Sequence, residues 1–242
     1  MAVRQVPDWL TQSDYAHRGL HRAGVPENSL AAAQAAMAAG YGIECDIQMS
    51  VDGVPMVFHD WELERLTDTT GPVEARTAKE LSALRLLGSE EQIPTLEQFL
   101  DAIGPTTPLL IEIKSAPDYP VEKSCEAVVA CLGKKPGRAA VMSFDPRVPE
   151  WLASNASEIT RGLVGTDSLP NSFEHVWHEI RTIEQAQPDF LAIDRRDLDC
   201  ADTAAWREAG KPLLSWTIRT QSDRAFAMAR VDRMIAEADG FV

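Results

Sequence analysis

Three short segments of this chain put charge or imidazole where an apolar run should be closing: Ala16-His17-Arg18-Gly19, Glu44-Cys45-Asp46 with Phe58-His59-Asp60, and Ile111-Glu112-Ile113-Lys114. A phosphodiester that is to be cleaved needs its non-bridging oxygens neutralised, a proton taken from the nucleophile and a proton given to the leaving alkoxide. The residue types present cover all three needs. Glu44, Asp46 and Glu112 form an all-oxygen set, which favours a hard cation such as Mg²⁺ or Ca²⁺. Arg18 can share the phosphate charge. His17 and His59, with an ordinary imidazole pKa of about 6.5, can serve as base and acid near neutral pH. The competing reading of the same carboxylates is a salt-bridge network with Lys114.

These residues must be held on one face of something, and strand parity supplies it. Side chains alternate across a strand, so Glu44 and Asp46 share a face that Cys45 leaves, and Glu112 and Lys114 share a face that Ile111 and Ile113 leave. Around them, short apolar runs alternate with Ala-rich or amphipathic stretches. Eight runs read as strands: 15–17, 42–47, 109–113, 139–142, 160–164, 190–193, 213–218 and 233–236. Helix candidates lie between most of them, at 28–39, 122–132, 146–154, 173–185, 202–209 and 222–229. In the first helix Asn28 is a candidate cap, the body is rich in alanine, and Gly40 follows the end. Eight βα units close as an α/β (β/α)8 barrel (TIM barrel), whose reactive groups sit at the C-terminal ends of the strands. A single domain over residues 1–242 is expected.

The connection after the second strand is too long for an ordinary βα loop and must have structure of its own. Asp52-Gly53 between Ile47-Gln48-Met49 and Val54-Pro55-Met56-Val57-Phe58 reads as a hairpin turn that returns His59 to the barrel mouth. A helix is expected near 78–87, and Thr95 is placed to cap another that runs to Ala102. Residues 50–94 therefore read as an insertion beside the site.

With 37 acidic against 23 basic side chains, the formal net charge is −14, and no Lys/Arg cluster is present to bind nucleic acid or an anionic membrane. No run of about 18 apolar residues offers a membrane span. The first residues lack the basic-then-apolar pattern of a signal peptide, so a cytoplasmic protein without stable membrane association is expected. The four cysteines, Cys45, Cys125, Cys131 and Cys200, form no C-x-x-C pair and read as reduced packing residues. His21, beside Arg22, reads as surface or lid. His175 and His178 are three apart on a helix candidate but have no third ligand, and read as a solvated face.

Taken together, His17-Arg18-Gly19, Pro26-Glu27-Asn28-Ser29, Glu44-Cys45-Asp46, Asp52-Gly53, Val57-Phe58-His59-Asp60, Ile93-Pro94-Thr95-Leu96, Glu112-Ile113-Lys114, Ser143-Phe144-Asp145 and Ser215-Trp216-Thr217 resemble, in order, the signature series of glycerophosphodiester phosphodiesterases of the small, single-domain, phospholipase C-like barrel type. The resemblance implies metal-dependent hydrolysis of a glycerophosphodiester to glycerol 3-phosphate and an alcohol. It implies His17 and His59 as general acid and base, Glu44, Asp46 and Glu112 as ligands of a divalent cation, and Arg18 and Lys114 as phosphate contacts. Trp216 with Phe144 would form an aromatic wall for the glycerol moiety. Glu27 and Asn28 are expected only to fix the first loop and cap the helix. The segment after the last strand, Glu237-Ala238-Asp239, lacks the proline common in this family and is expected to bear on specificity. The partner implied is a small-molecule diester, and a homo-oligomer is left open. Two alternatives compete: a lysophospholipase D acting on lipid-tailed diesters, with Leu81, Leu84, Leu86 and Leu87 as its apolar channel, and a catalytically silent ligand-binding barrel.

Overall fold

The alternation of apolar runs and helical stretches closes into a parallel barrel in the structure, a computed structural model that describes residues 5–167 and 180–241. Among the described residues the strands are β1 (Tyr15–Ala16), β2 (Gly42–Met49), β3 (Pro55–Val57), β4 (Leu109–Ile113), β5 (Ala139–Ser143), β6 (Thr160–Gly165), β7 (Phe190–Asp194), β8 (Leu213–Ile218) and β9 (Arg233–Ala236). All but β3 run parallel in the order β1-β9-β8-β7-β6-β5-β4-β2, and β1 closes the ring by pairing with both β2 and β9. The helices are α1 (Leu30–Ala38), α2 (Ala78–Leu81), α3 (Leu96–Ile103), α4 (Val121–Lys134), α5 (Arg147–Asn155), α6 (Ile180–Ala186), α7 (Ala201–Glu208) and α8 (Gln221–Met228).

Strand parity sorts the core into layers. Ile43, Cys45 and Ile47 of β2, with Leu109, Ile111 and Ile113 of β4, face outward into the apolar layer under the helices. Tyr15, Leu110, Ala140, Met142, Val164, Phe190, Ala192, Leu214 and Ile235 fill the barrel interior. Leu10, on a short 3-10 turn at Asp8–Thr11, is fully buried in that interior cluster, and the Tyr15 hydroxyl donates to its carbonyl at 2.9 Å. The register pairs Glu44 with Leu110 and Asp46 with Glu112, so three carboxylates extend the inward-facing set.

The insertion has its own core of Met56, Phe58, Leu63, Val73, Leu81, Leu86 and Ile93. Its hairpin is as expected: β3 lies antiparallel to the end of β2, with Ile47 opposite Val57. Thr95 caps α3 in a reciprocal box with Gln98, at 3.2 Å and 2.9 Å. The helix expected over 78–87 stops instead at Leu81, because the amides of Leu86 and Leu87 are taken by the carbonyls of Glu91 and Leu66. The leucines expected to line a lipid channel belong to this small core: Leu81 and Leu86 are buried, Leu84 packs against them, and Leu87 alone is 44% exposed. The expected helix at 173–185 is described from Ile180, and His175 and His178 lie outside the described residues.

The cap of α1 also differs. Ser29, not Asn28, accepts the Ala32 amide at 3.0 Å, because Asn28 has φ +55° and turns its side chain into the barrel. The body of α1 then runs tight against the first loop. A Cβ on Gly19, whose φ is +78°, would lie 2.7 Å from that of Ala32.

Two glycines test this packing with opposite signs. A methyl group on Gly162 of β6 would lie 2.3 Å from the Phe190 ring inside the barrel, whereas one on Gly133 of α4 meets nothing within 4 Å. Gly162→Ala is expected to destabilise by about 1–3 kcal/mol. Gly133→Ala, in a solvent-facing helical turn, is expected to stabilise by roughly 0.5–1 kcal/mol. Urea unfolding of the two variants checks both signs.

Candidate active site

The barrel mouth brings together His17, Arg18, Glu44, Asp46, His59, Glu112, Lys114, Phe144 and Trp216 around one cavity of about 250 Å³. All nine residues singled out in the sequence line it. Glu44 and Asp46 are 1% exposed, Glu112 7% and His17 9%, so the ionisable groups face each other in a poorly hydrated space.

Each of Glu44, Asp46 and Glu112 offers a carboxylate oxygen within 4.8 Å of the others. Lys114 lies between two of them, with Nζ at 2.9 Å from Asp46 Oδ1 and hydrogen-bonded to Glu112 Oε1. Asp46 also faces Arg18 Nε at 3.3 Å. Glu44 is less well provided. Its Oε2 accepts the backbone N–H of Arg18 at 3.0 Å, but its buried Oε1 has no hydrogen-bond partner. Such an orphaned buried acceptor costs about 1–3 kcal/mol. Burial, reinforced by Asp46 and Glu112, pushes the Glu44 carboxyl well above the usual carboxylate range. Asp46 goes the other way: its burial is outweighed by Lys114, His59 and Arg18, which hold it ionised. An unpartnered oxygen in a ring of three carboxylates is a donor set that a hard divalent cation satisfies, so these residues fit such an ion.

The backbone of the first loop is shaped to the same end. Arg18 is left-handed at φ +56°, a conformation of order 1–3 kcal/mol above the ordinary basins for a non-glycine residue. That turn aims its N–H at Glu44 while its carbonyl accepts from Asn28 at 2.9 Å. Asn28 in turn donates from Nδ2 to Asp46 Oδ2 at 2.9 Å and accepts the Asp46 amide on Oδ1 at 3.3 Å. Glu27 Oε1 takes Arg18 Nη1 at 2.7 Å. Glu27 and Asn28, expected outside the site, therefore hold two of its members.

Each histidine has a carboxylate behind it. His17 Nδ1 lies 2.6 Å from Glu237 Oε2, and His59 Nδ1 lies 2.6 Å from Asp60 Oδ1. With Nδ1 engaged, Nε2 of each ring is left for the cavity both residues line. Burial lowers the His17 pKa against the pull of Glu237. Burial and then Lys114 bring His59 down to about 4. Glu237 is itself gripped by Arg219 Nε at 2.6 Å, and His21 Nε2 approaches the same carboxylate at 3.5 Å. The segment after β9, expected to bear on specificity, thus supplies the residue that orients His17, and His21, expected at the surface or on a lid, turns its Nε2 to the same carboxylate. The one signal in the sequence for Glu237 was an acidic side chain directly after the last strand.

Phe144 and Trp216 meet edge to face with centroids 5.3 Å apart, and Trp216 is fixed by its indole N–H on the Ala192 carbonyl at 2.9 Å. A second cavity of about 490 Å³ continues from His59, Glu112, Lys114 and Phe144 outward along Trp61, Glu62 and Glu64 of the insertion. The four cysteines are unpaired, with Cys45, Cys125 and Cys131 buried away from this chemistry. Burial pushes the Cys125 thiol up to about 12.

Comparison with known proteins agrees with the barrel fold. The chain is 27% identical over 238 residues to the glycerophosphodiester phosphodiesterase of Bacillus subtilis, with 86% of this chain and 77% of that protein covered. It is 35% identical over 141 residues to an uncharacterized protein of Mycobacterium tuberculosis; that match takes in 51% of this chain, and the chain spans only 46% of that protein's length. Among solved structures it superposes on an Oleispira antarctica phosphodiesterase in complex with the product sn-glycerol-3-phosphate, with a TM-score of 0.78, 25% identity and coverage of 92% of this chain and 91% of that one. The sequence profile of the glycerophosphoryl diester phosphodiesterase family matches residues 17–238, and the chain belongs to that family.

Proposed function

We propose that this protein hydrolyses glycerophosphodiesters, such as glycerophosphocholine or glycerophosphoethanolamine, to glycerol 3-phosphate and the free alcohol. The observation that carries the reading is the buried, unpartnered Glu44 Oε1 in a ring with Asp46 and Glu112, faced by two histidines that each have a carboxylate on Nδ1. Family membership and the product-bound Oleispira relative support the same substrate class.

In this reading Glu44, Asp46 and Glu112 hold a divalent cation, Mg²⁺ or Ca²⁺, which when bound supplies charge neutralisation at a phosphate oxygen. Arg18 and Lys114 bring guanidinium and ammonium to the remaining non-bridging oxygens. One of His17 and His59 removes the proton of the nucleophile through Nε2, and the other delivers a proton to the leaving alkoxide. Glu237 and Asp60 fix the ring orientations and stabilise whichever imidazolium forms. Phe144 and Trp216 give the glycerol carbons an apolar wall. The outer cavity receives the other end of the diester, and with His59 at the junction the reacting phosphate sits between the two spaces.

Purified protein incubated with glycerophosphocholine and Mg²⁺ or Ca²⁺ is expected to release glycerol 3-phosphate, and chelator is expected to stop it. His17→Ala and His59→Ala are each expected to lower kcat by about 10² to 10⁴. Release that persists when both histidines are replaced would overturn the reading, as would silence with both metals.

The histidine environment also sets a stability signature. The unfolded chain protonates His59 near its ordinary pKa of about 6.5, whereas the folded protein protonates it only near about 4. Between these values the unfolded state binds the extra proton, so acidification favours unfolding and stability rises with pH across this window. In chelator, the melting temperature of the wild type is expected to fall more steeply from pH 6.5 to 4 than that of His59→Gln. Parallel curves would show that the burial of His59 carries no such linkage.

A further inference from the structure

Between the two sides of the site lies one cation that the scheme above does not use. Arg65 sits in the insertion, just past the buried Leu63, with its side chain 46% exposed. Its guanidinium engages two carboxylates at once. Toward Asp60, Nε reaches Oδ2 at 2.5 Å and Nη2 reaches Oδ1 at 2.9 Å. Toward Glu27, Nη1 reaches Oε2 at 2.9 Å and Nη2 reaches Oε1 at 2.7 Å. Both are two-pronged contacts of the kind only a planar guanidinium can make.

The two carboxylates are the ones that hold functional groups. Asp60 Oδ1 faces His59 Nδ1, and Glu27 Oε1 faces Arg18 Nη1. We infer that Arg65 is a positioning residue for the reaction: by clamping Asp60 against Glu27 it fixes the ring of His59, which stands on the insertion, relative to Arg18, which stands on the barrel. The inference rests on the functional reading above and adds a residue to it.

Loss of Arg65 would be felt at Asp60. Glu27 keeps Arg18, so that pair survives. Among the described residues, Asp60 has only His59 and Arg65 on its carboxylate. Without Arg65 it swings between solvent and the imidazole, and His59 loses a defined orientation while the metal carboxylates and Arg18 stay in place. The damage from lost positioning therefore belongs in the chemical step; Arg65 also lines the outer cavity, so a kcat loss separates this role from a direct substrate contact, which would show in KM. A plain fastening of the insertion to the first loop would act differently, since Glu91 also ties the insertion to α1 through the Ala31 amide at 3.0 Å.

The test is steady-state kinetics on glycerophosphocholine with saturating metal, with thermal melting alongside. Arg65→Ala is expected to lower kcat roughly 10- to 100-fold with KM little changed, the scale of a misoriented supporting group. Asp60→Asn is expected to show a similar loss, and the double variant to be no worse than the poorer single one, because both changes remove the same constraint. Arg65→Lys, which keeps the charge but cannot fork two carboxylates, is expected to remain impaired, and millimolar free guanidinium to restore part of the Arg65→Ala activity. A kcat within about two-fold of wild type in folded Arg65→Ala, or losses that multiply in the double variant, would overturn the inference. If Arg65→Ala does not fold, an unimpaired Arg65→Lys overturns it equally. A wild type that cleaves while the variant matches it refutes the positioning role alone; a wild type that never cleaves refutes the functional reading and takes this inference with it.

Discussion

Three carboxylates buried within 4.8 Å of each other are the constraint to which the rest of the site answers. Bringing Glu44, Asp46 and Glu112 out of water against mutual repulsion is costly by any measure of charge burial. Lys114 and Arg18 answer Asp46 and Glu112, while Glu44 is left with an oxygen that has no hydrogen-bond partner and a carboxyl that resists ionisation. A divalent cation would favour the ionised form of Glu44 and give its unpartnered oxygen a ligand role. The site is thus short of positive charge at Glu44, where a cation would supply it.

That constraint explains why the barrel is built as it is around β2 and β4. Parallel pairing places Asp46 opposite Glu112, and the outward residues Cys45, Ile111 and Ile113 pack under helices to hold both strands in register. A slip of one residue would exchange the two faces and bury the apolar set among the charges. The strained φ of Arg18 and the left-handed Asn28 follow from the same demand, since they let one short loop contribute an N–H to Glu44, a guanidinium and an amide to Asp46, and still start α1 at Ser29.

This also separates what the sequence made legible from what it did not. Glu44, Asp46, Glu112 and Lys114 could be placed together because strand alternation is local and parallel neighbours in a barrel follow chain order. The Thr95 cap was legible because Gln98 completes a local pattern. Glu237 is 220 residues from His17, and Arg65 is 38 residues from Glu27, so no periodicity connects either pair; only closure of the ring and folding of the insertion bring them together. Asn28 was misassigned by one position because any Asn before an Ala-rich helix reads as a cap, and the demand that turns it inward comes from Asp46, on another element. The helix expected over 78–87 failed for a similar reason: its end is decided by carbonyls of Leu66 and Glu91, which a window on the helix itself does not contain.

The two histidines are held by different parts of the molecule. His17 continues β1, its amide bonded to the Ala236 carbonyl of β9 at 2.8 Å, and its orienting Glu237 is the next residue after that strand. The strands that close the barrel therefore also fix His17, which is as rigid as the closure itself. His59 follows a three-residue strand paired to β2 on one side, and the segment beyond it packs on its own small core. Its backbone is tied to β2 by Gln48 Nε2 on its carbonyl at 3.2 Å and by the Phe58 amide on the Asp46 carbonyl at 3.0 Å, and its ring is set by Asp60 with the two-carboxylate grip of Arg65 behind it. A barrel with one cavity-lining histidine in its frame and the other on an appended hairpin can widen or narrow the outer cavity by altering the insertion alone, while the carboxylate ring and His17 keep their geometry.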